Sequence, residues 1–190
     1  FPTFIKLNPA GHQISKLILN GAECEPYISC DDMLMRERPH DVIDGAKIMR
    51  HALIAEQVII AIEDNKPEAI AALNTLADEY DWLDVQGIPV IYPTGGERQL
   101  IKVLTGKDVP SQGLPLDLGM VVSNVATAAA IHHAIDHQQP LISRIVTVTG
   151  SGVRSPQNFE ALIGTPMSDL IELAGGYTDD ADRLVVGGPM

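Results

Sequence analysis

Short apolar runs alternate with longer stretches of helical spacing along the first two thirds of the chain. The apolar runs have the length of strands and lie at Lys16–Asn20, Gln57–Ile62, Ile88–Tyr92 and Met120–Val122. Between them, the apolar residues of Asp41–Ala55 have helical spacing, which predicts a helix. Further helices are predicted at Pro67–Tyr80, with proline in its first turn, at Glu97–Leu104, which ends at a glycine, and at the apolar segment Val125–Asp136. Strands that alternate with helices in this way predict a Rossmann-like α/β fold, with a parallel sheet at the centre of three layers.

The pattern changes near Gln138–Pro140. Ser143–Thr149 alternates apolar and polar residues and is rich in β-branched side chains, as is typical of a half-buried strand. Pro166–Ala174 has helical spacing and is followed by a glycine pair, and Arg183–Val186 predicts one more short strand. We therefore expect a small α+β unit in the last part of the chain.

Composition and charge restrict the classes of function. The 190 residues include 25 acidic and 13 basic side chains, which gives a net charge of −12. Nucleic acids and anionic membrane surfaces repel such a protein, so neither is an expected partner.

The two cysteines, Cys24 and Cys30, are too few for a disulfide scaffold, and we expect reduced thiols in a cytosolic protein. No apolar run reaches the roughly 18 residues that a membrane-spanning helix needs.

Three loops that are rich in polar residues or glycine each follow a predicted strand. They are Leu19–Pro26 (LNGAECEP), Tyr92–Gln99 (YPTGGERQ) and Ser123–Thr127 (SNVAT). Loops that follow parallel strands share one edge of the sheet, which is where open α/β sheets bind their ligands. Each loop alone is also typical of an ordinary turn or helix cap, but their recurrence predicts that they converge on one ligand.

The residue types in these loops indicate what such a ligand carries. The Asn20 amide can both donate and accept, and the Glu23 and Glu25 carboxylates can accept hydrogen bonds from a ribose, a carboxamide or a ring N–H. Gly95 and Gly96 allow the backbone to approach a ligand closely, and the helix start that follows them favours an anion. The loop lacks the ending of a Walker A motif and does not match GxGxxG.

Three histidines, His132, His133 and His137, fall on one predicted helix. The spacing of His133 and His137 suits a metal ion, but no glutamate lies between them as in an HExxH motif. We interpret the three as a solvated helix face and expect no metal site. We assign no residue as a catalytic acid or base.

Four strings resemble one known family in register. They are FPTFIKL at Phe1–Leu7, NGAECEPYISCDD at Asn20–Asp32, YPTGGERQLIKVLTGK at Tyr92–Lys107 and NVAT at Asn124–Thr127. Together they resemble the C subunit of Rnf/Rsx electron-transport complexes and, more distantly, the flavoprotein subunit of respiratory complex I. The C-terminal part resembles the soluble-ligand-binding β-grasp (SLBB) module of the same family. The resemblance divides the chain into an FMN- and NADH-binding domain at residues 1–140 and an SLBB module at residues 141–190.

The resemblance implies that FMN binds at the strand ends and that NADH stacks on it. By alignment, the FMN-binding residues are Lys6, Asn20, Glu23, Tyr92, Gly95, Asn124 and Thr127. The NADH side is formed by Phe1, which would stack on the adenine, and by the carboxylates of Glu25 and Glu97. Asn124 and Thr127 would take the phosphate end of FMN, and Lys6 its phosphate or ribityl region.

The function that the resemblance implies is electron input to a membrane complex. Electrons would pass through FMN between NADH and [4Fe–4S] clusters outside this chain, coupled to ion transport or to reduction of a redox regulator. The partners would be the other Rnf/Rsx subunits, at the cytoplasmic face of the bacterial inner membrane, with peripheral attachment. Two alternatives stay open, a cobalamin-reductase-type flavoprotein and a non-catalytic docking module without flavin. The Tyr27–Asp32 segment favours Rnf over the cobalamin reductases.

Two positions depart from the complex I pattern, because Ala22 replaces an aspartate and Gly96 replaces a glutamate. The family's glycine-rich GxGGAG loop is expected before Phe1, and its cysteine-rich iron–sulfur region is expected after Met190. We therefore expect this chain to be a fragment that lacks both. In such a fragment FMN should be weakly held or absent, and we expect no activity from it alone.

Overall fold

A computed structural model describes residues 2–9 and 11–187, in which a parallel four-stranded sheet is followed by a two-stranded antiparallel sheet. The strands are β1 Lys16–Asn20, β2 Gln57–Glu63, β3 Leu83–Ile88, β4 Met120–Asn124, β5 Ser143–Val148 and β6 Gln157–Leu162. The helices are α1 Thr3–Lys6, α2 Cys30–Glu37, α3 Pro39–Leu53, α4 Pro67–Ala77, α5 Glu97–Thr105, α6 Val125–Asp136 and α7 Met167–Leu173, with a short 3-10 helix at Pro115–Leu118. The order of the parallel strands is β3-β2-β1-β4.

Helices cover both faces of the parallel sheet. Alternate residues of β1 face opposite layers: Leu17 and Leu19 lie in the larger core with α2, α3, α4 and α6. Ile18 lies in the smaller core, where it packs with residues of α5. Burial on both faces explains why β2 is a nearly continuous apolar run. The predicted three-layer parallel α/β fold is confirmed.

The position of α6 depends on a close crossing with α3. A Cβ atom on Gly45 would overlap the carbonyl group of Ala128, so the two helices can approach this closely only at a glycine. Because α6 begins directly after β4, this crossing also fixes the start of α6, where Asn124 is the N-cap.

The predicted strand at Ile88–Tyr92 is wrong. The strand runs over Leu83–Ile88 and pairs with β2, whereas Val90, Ile91 and Tyr92 are more than half exposed. Pro89 ends the strand because it has no N–H to donate to the ladder. β3 lies at the edge of the sheet and is only partly buried, so it has no continuous apolar run that would mark it in the sequence.

The last part of the chain differs from its prediction at two places. Arg183–Val186 belongs to no strand, and its three apolar side chains are more than half exposed, because an apolar run forms a strand only beside a partner that shares its hydrogen bonds. The strand β6 was not predicted, because Gln157–Leu162 has too few apolar residues to mark it. The strand at Ser143–Val148 and the helix at Met167–Leu173 are confirmed.

The β5–β6 hairpin is attached to the turn before α2. The Ser29 amide donates to the Thr147 hydroxyl at 3.2 Å, and the Asn158 side-chain amide donates to the Ser29 carbonyl at 3.2 Å. A charged pair joins Arg38 and Glu160 at 2.9 Å. Within the described residues, no helix is long and apolar enough to cross a membrane.

Candidate functional site

The structure brings the three predicted loops together at the carboxyl edge of the parallel sheet. The Asn20 side-chain amide donates to the Gly95 carbonyl at 2.8 Å, which joins the loop after β1 to the glycine turn before α5. The Asn124 side-chain amide lies 3.4 Å from the Asn20 carbonyl, which joins β4 to the same loop. The amide oxygen of Asn20 also accepts from the Ala22 N–H at 3.0 Å, so this side chain orders its own loop.

Gly95 is held between the two loops by a close contact with Cys24. Its N–H lies 2.8 Å from the Cys24 sulfur. A Cβ atom at Gly95 would lie 2.8 Å from the same sulfur and 3.3 Å from the Ala22 carbonyl oxygen. The requirement for glycine at this position therefore arises from contact between the loops, which the sequence pattern could not show.

The N-terminus of α5 begins directly after this turn. Gly96 is the N-cap and has no side chain with which to cap the helix. An uncapped first turn leaves backbone N–H groups that can donate to an anion.

Glu23 caps α2, and its side chain is almost fully buried. Its two carboxylate oxygens accept from the N–H groups of Asp31 at 2.8 Å and Asp32 at 3.0 Å, and its side chain is 2% exposed. Lys66 lies 3.9 Å from the same carboxylate. A carboxylate at a helix N-terminus stabilises the unpaired N–H groups there. Glu23 thus joins the loop after β1 to the start of α2.

The side chain of Lys6 connects α1 to β4, which is one of the two outer strands of the sheet. Its ammonium donates to the Val122 carbonyl at 2.7 Å and to the Glu97 carboxylate at 3.1 Å. This contact places Lys6 beside Glu97. The resemblance assigns Lys6 to FMN binding and Glu97 to the NADH side.

Tyr92 is more than half exposed in the turn before α5, and Glu25 is partly buried in the loop after β1. Phe1 lies outside the described residues.

Asn124 and Thr127 lie in the start of α6. The Asn124 amide oxygen accepts from the Ala126 N–H at 2.8 Å, and its amide nitrogen donates to the Asp31 carboxylate at 2.6 Å. Thr127 is partly buried in the first turn of the helix. The sequence does not predict the contact of Asn124 with Asp31, because the two residues are 93 positions apart.

Burial raises the pKa of the Asp31 carboxyl to about 6. The hydrogen bond from Asn124 opposes this rise, the nearby Glu23 adds to it, and Arg144 opposes it. Next to it, burial raises the pKa of the Cys30 thiol to about 11, with Asp31 and Glu23 adding to the effect. Both cysteines are free thiols, and Cys30 is therefore protonated at neutral pH.

The histidines of α6 form a cluster with α3. His133 lies 2.8 Å from the Asp41 carboxylate, and this hydrogen bond raises its pKa. His132 is 8% exposed and lies 2.8 Å from the Asp136 carboxylate. The interpretation as a solvated face is therefore wrong for His132, because α6 packs along α3. Across the described ranges, no group of three or more potential ligands is placed to hold a metal ion.

Comparisons with known proteins agree with this arrangement. Residues 1–133 match the model of the Nuo51 FMN-binding domain, and residues 145–190 match that of the SLBB domain. The whole chain is 48% identical to part of the C subunit of the ion-translocating oxidoreductase complex of Rhodobacter capsulatus and 50% identical to part of the protein of the same name from Pseudomonas aeruginosa. The chain spans 37% and 24% of the lengths of these two relatives. The predicted resemblance is confirmed.

A solved structure shares the fold. The H2-reduced form of an NAD+-reducing [NiFe]-hydrogenase superposes with a TM-score of 0.79 at 22% identity, over 92% of this chain and 35% of the other. At this identity the likeness supports the fold alone. The match over residues 1–133 covers more than half of the sequence, and the chain therefore belongs to the Nuo51 FMN-binding domain family.

Proposed function

We propose that this chain binds FMN at the carboxyl edge of its parallel sheet and forms the electron-input part of a longer ion-translocating oxidoreductase subunit. The observation that carries the proposal is the convergence of three loops, joined by Asn20, Gly95 and Asn124, in a chain that belongs to an FMN-binding family. A single loop of this kind would be compatible with many ligands, but three loops at one edge define a site for one extended ligand.

The donors at this edge suit FMN, which carries an anionic phosphate and a ring system with hydrogen-bonding edges. Lys6 supplies the positive charge, and the first turns of α5 and α6 supply backbone N–H groups. Asn20, Tyr92, Gly95, Asn124 and Thr127 would complete the binding surface. Glu23 would contribute mainly by holding α2 in place, since both of its oxygens already accept hydrogen bonds.

When bound, FMN supplies the redox chemistry, namely acceptance of a hydride and release of single electrons. The residues of this chain bind and orient the reactants. We propose NADH as the hydride donor, with Glu25 and Glu97 on its side of the site and Phe1 as the residue that stacks on its adenine. Glu97 is about half exposed beside Lys6, where an incoming ligand can reach it.

The parent protein is proposed to carry the [4Fe–4S] clusters that receive the electrons, and to attach peripherally to the cytoplasmic face of the bacterial inner membrane. Its partners would be the other subunits of the ion-translocating complex, as the names of the relatives suggest. We also propose that the FMN domain spans residues 1–140 and the SLBB module residues 141–190. The family matches at 1–133 and 145–190 support this division.

Gly95→Val tests the location of the flavin. The new side chain would force the loops of Cys24 and Gly95 apart, so we expect FMN affinity to fall by at least tenfold. Titration with FMN, followed by quenching of flavin fluorescence, measures the change. Gly87→Val is the matched control, because a Cβ atom there meets only ordinary contacts, the nearest at 3.8 Å, on the outer strand β3. Equal FMN affinity for Gly95→Val and wild type would contradict the assignment.

A further inference from the structure

We propose that Asp31 is a positioning residue for the flavin site: from the first turn of α2 it orients the side chain of Asn124, and through it the loop that carries Asn20. The inference rests on the proposed FMN site and adds a residue to it. Asp31 does not contact the reacting atoms. It acts through Asn124.

The orientation of the Asn124 amide is fixed at both ends. Its oxygen accepts from the Ala126 N–H at 2.8 Å, which leaves its nitrogen to face Asp31. The bond from that nitrogen to the Asp31 carboxylate is 2.6 Å long, shorter than the usual distance between neutral partners. Hydrogen bonds with a charged partner are short and about twice as strong as neutral ones. A neutral residue at position 31 would therefore hold Asn124 less firmly.

The effect of Asp31 extends from Asn124 to the other loops. The same Asn124 nitrogen lies 3.4 Å from the Asn20 carbonyl, and the Asn20 amide donates to the Gly95 carbonyl at 2.8 Å. A continuous series of contacts thus leads from α2 through the start of α6 to the glycine turn before α5. A shift of the Asn124 side chain would change the spacing of all three loops.

Asp31 itself is held in place from two sides. The Glu23 carboxylate accepts from its N–H at 2.8 Å. Two residues earlier, the turn at Ser29 is attached to the β5–β6 hairpin through Thr147 and Asn158. Because these contacts fix the backbone at Asp31, its carboxylate can hold Asn124 in one orientation.

The charge of Asp31 lowers the stability of the folded chain at neutral pH. The groups that act on its charge are Glu23 from the loop after β1, Asn124 from β4 and Arg144 from β5, and Asp31 in turn raises the pKa of Cys30 on its own helix. Burial raises the pKa of its carboxyl above the ordinary value, so the folded state binds this proton more tightly than the unfolded state does. The resulting stabilisation is fully present below pH 4 and is lost as the pH rises through about 6.

Opposite changes in stability and affinity separate a positioning role from a merely structural one. At pH 7.5, Asp31→Asn removes a partly buried charge and should raise Tm by several degrees. The same substitution should weaken FMN binding about threefold to tenfold, and Asp31→Ala about tenfold or more, because the charged hydrogen bond is lost. A residue that only maintained the fold would lose stability and affinity together.

The experiment combines FMN titration with NMR of the free chain. In 15N-labelled wild type, the side-chain amide signals of Asn124 should shift with pH with a midpoint near 6, the pKa of the adjacent Asp31 carboxyl. This titration should disappear in Asp31→Asn. Asp32→Asn is the matched control, because the Asp32 carboxylate lies 3.6 Å from Arg36 on the same helix. We expect the control to keep both the Asn124 titration and the FMN affinity.

Two results would overturn the inference. One is an Asn124 amide signal that does not respond to the charge at position 31. The other is FMN affinity that is the same in wild type and Asp31→Ala. If the wild type bound no FMN even at millimolar concentration, the proposed function would fail, but the NMR titration would still decide whether Asp31 orients Asn124.

Discussion

The two sheets of the molecule differ in how their strands are buried. Within the parallel sheet, β1 and β2 are buried on both faces, and α3 and α6 pack closely beside them. In the antiparallel hairpin, no residue of β5 or β6 is buried, and the buried residues of that region belong to Val153, α7 and Ala174. The proposed site therefore lies on the firmly packed region. The hairpin, by contrast, is attached to the turn before α2 through Thr147 and Asn158.

The largest effect is expected from a substitution inside the first region. Gly45→Ala should force α3 away from α6, because the new methyl group would overlap backbone atoms of Ala128. We expect a loss of about 3 kcal/mol or more in the free energy of unfolding, measured with urea. In the second region, Gly150→Ala is the control. Open space surrounds Gly150, and its φ of +106° should limit the loss to about 1–2 kcal/mol. Equal losses would contradict the comparison.

A smaller effect is expected where the two regions meet. The Asn158 side chain donates to the Ser29 carbonyl at 3.2 Å and accepts from the Thr147 hydroxyl at 2.7 Å. Asn158→Ala should cost about 1–3 kcal/mol, because partly buried partners lose their hydrogen bonds. Limited proteolysis should then cut the hairpin region sooner than in wild type.

Gln157→Ala is the control for this contact, since its side chain makes a bond of 3.3 Å within its own segment at Ser155. Proteolysis of the hairpin at the wild-type rate in Asn158→Ala would show that the attachment lies elsewhere.

The same difference in burial explains what the sequence could predict of the fold. The apolar run of β2 and the helical spacing of α3 are local consequences of burial, so pattern alone predicts both elements. β3 lies at the edge of the sheet, and only its two ends are buried. The sequence pattern therefore predicts the strand too late in the chain, in the apolar segment around Pro89. Whether an edge strand is buried depends on the elements that pack beside it, and the local sequence pattern does not show these.

The candidate site shows a similar limit. The loops of Asn20, Gly95 and Asn124 were predicted to converge, because parallel topology alone places strand ends at one edge. The contacts that hold them could not be predicted. Gly95 contacts Cys24, which lies 71 positions earlier in the sequence, and Asn124 contacts Asp31, which lies 93 positions earlier. Such pairs are set by the packing of whole elements, and no short spacing in the sequence encodes them.

Binding of FMN at the carboxyl edge of the parallel sheet can be measured by the backbone amide shifts of the 15N-labelled chain during an FMN titration. We expect micromolar or weaker affinity, with the largest shifts at Asn20, Gly95 and Asn124 and almost none in β6. An absence of shifts at millimolar FMN would contradict the account. So would shifts confined to the cavity of ≈ 570 Å³ between α6 and β5, which His133 and Ile145 line.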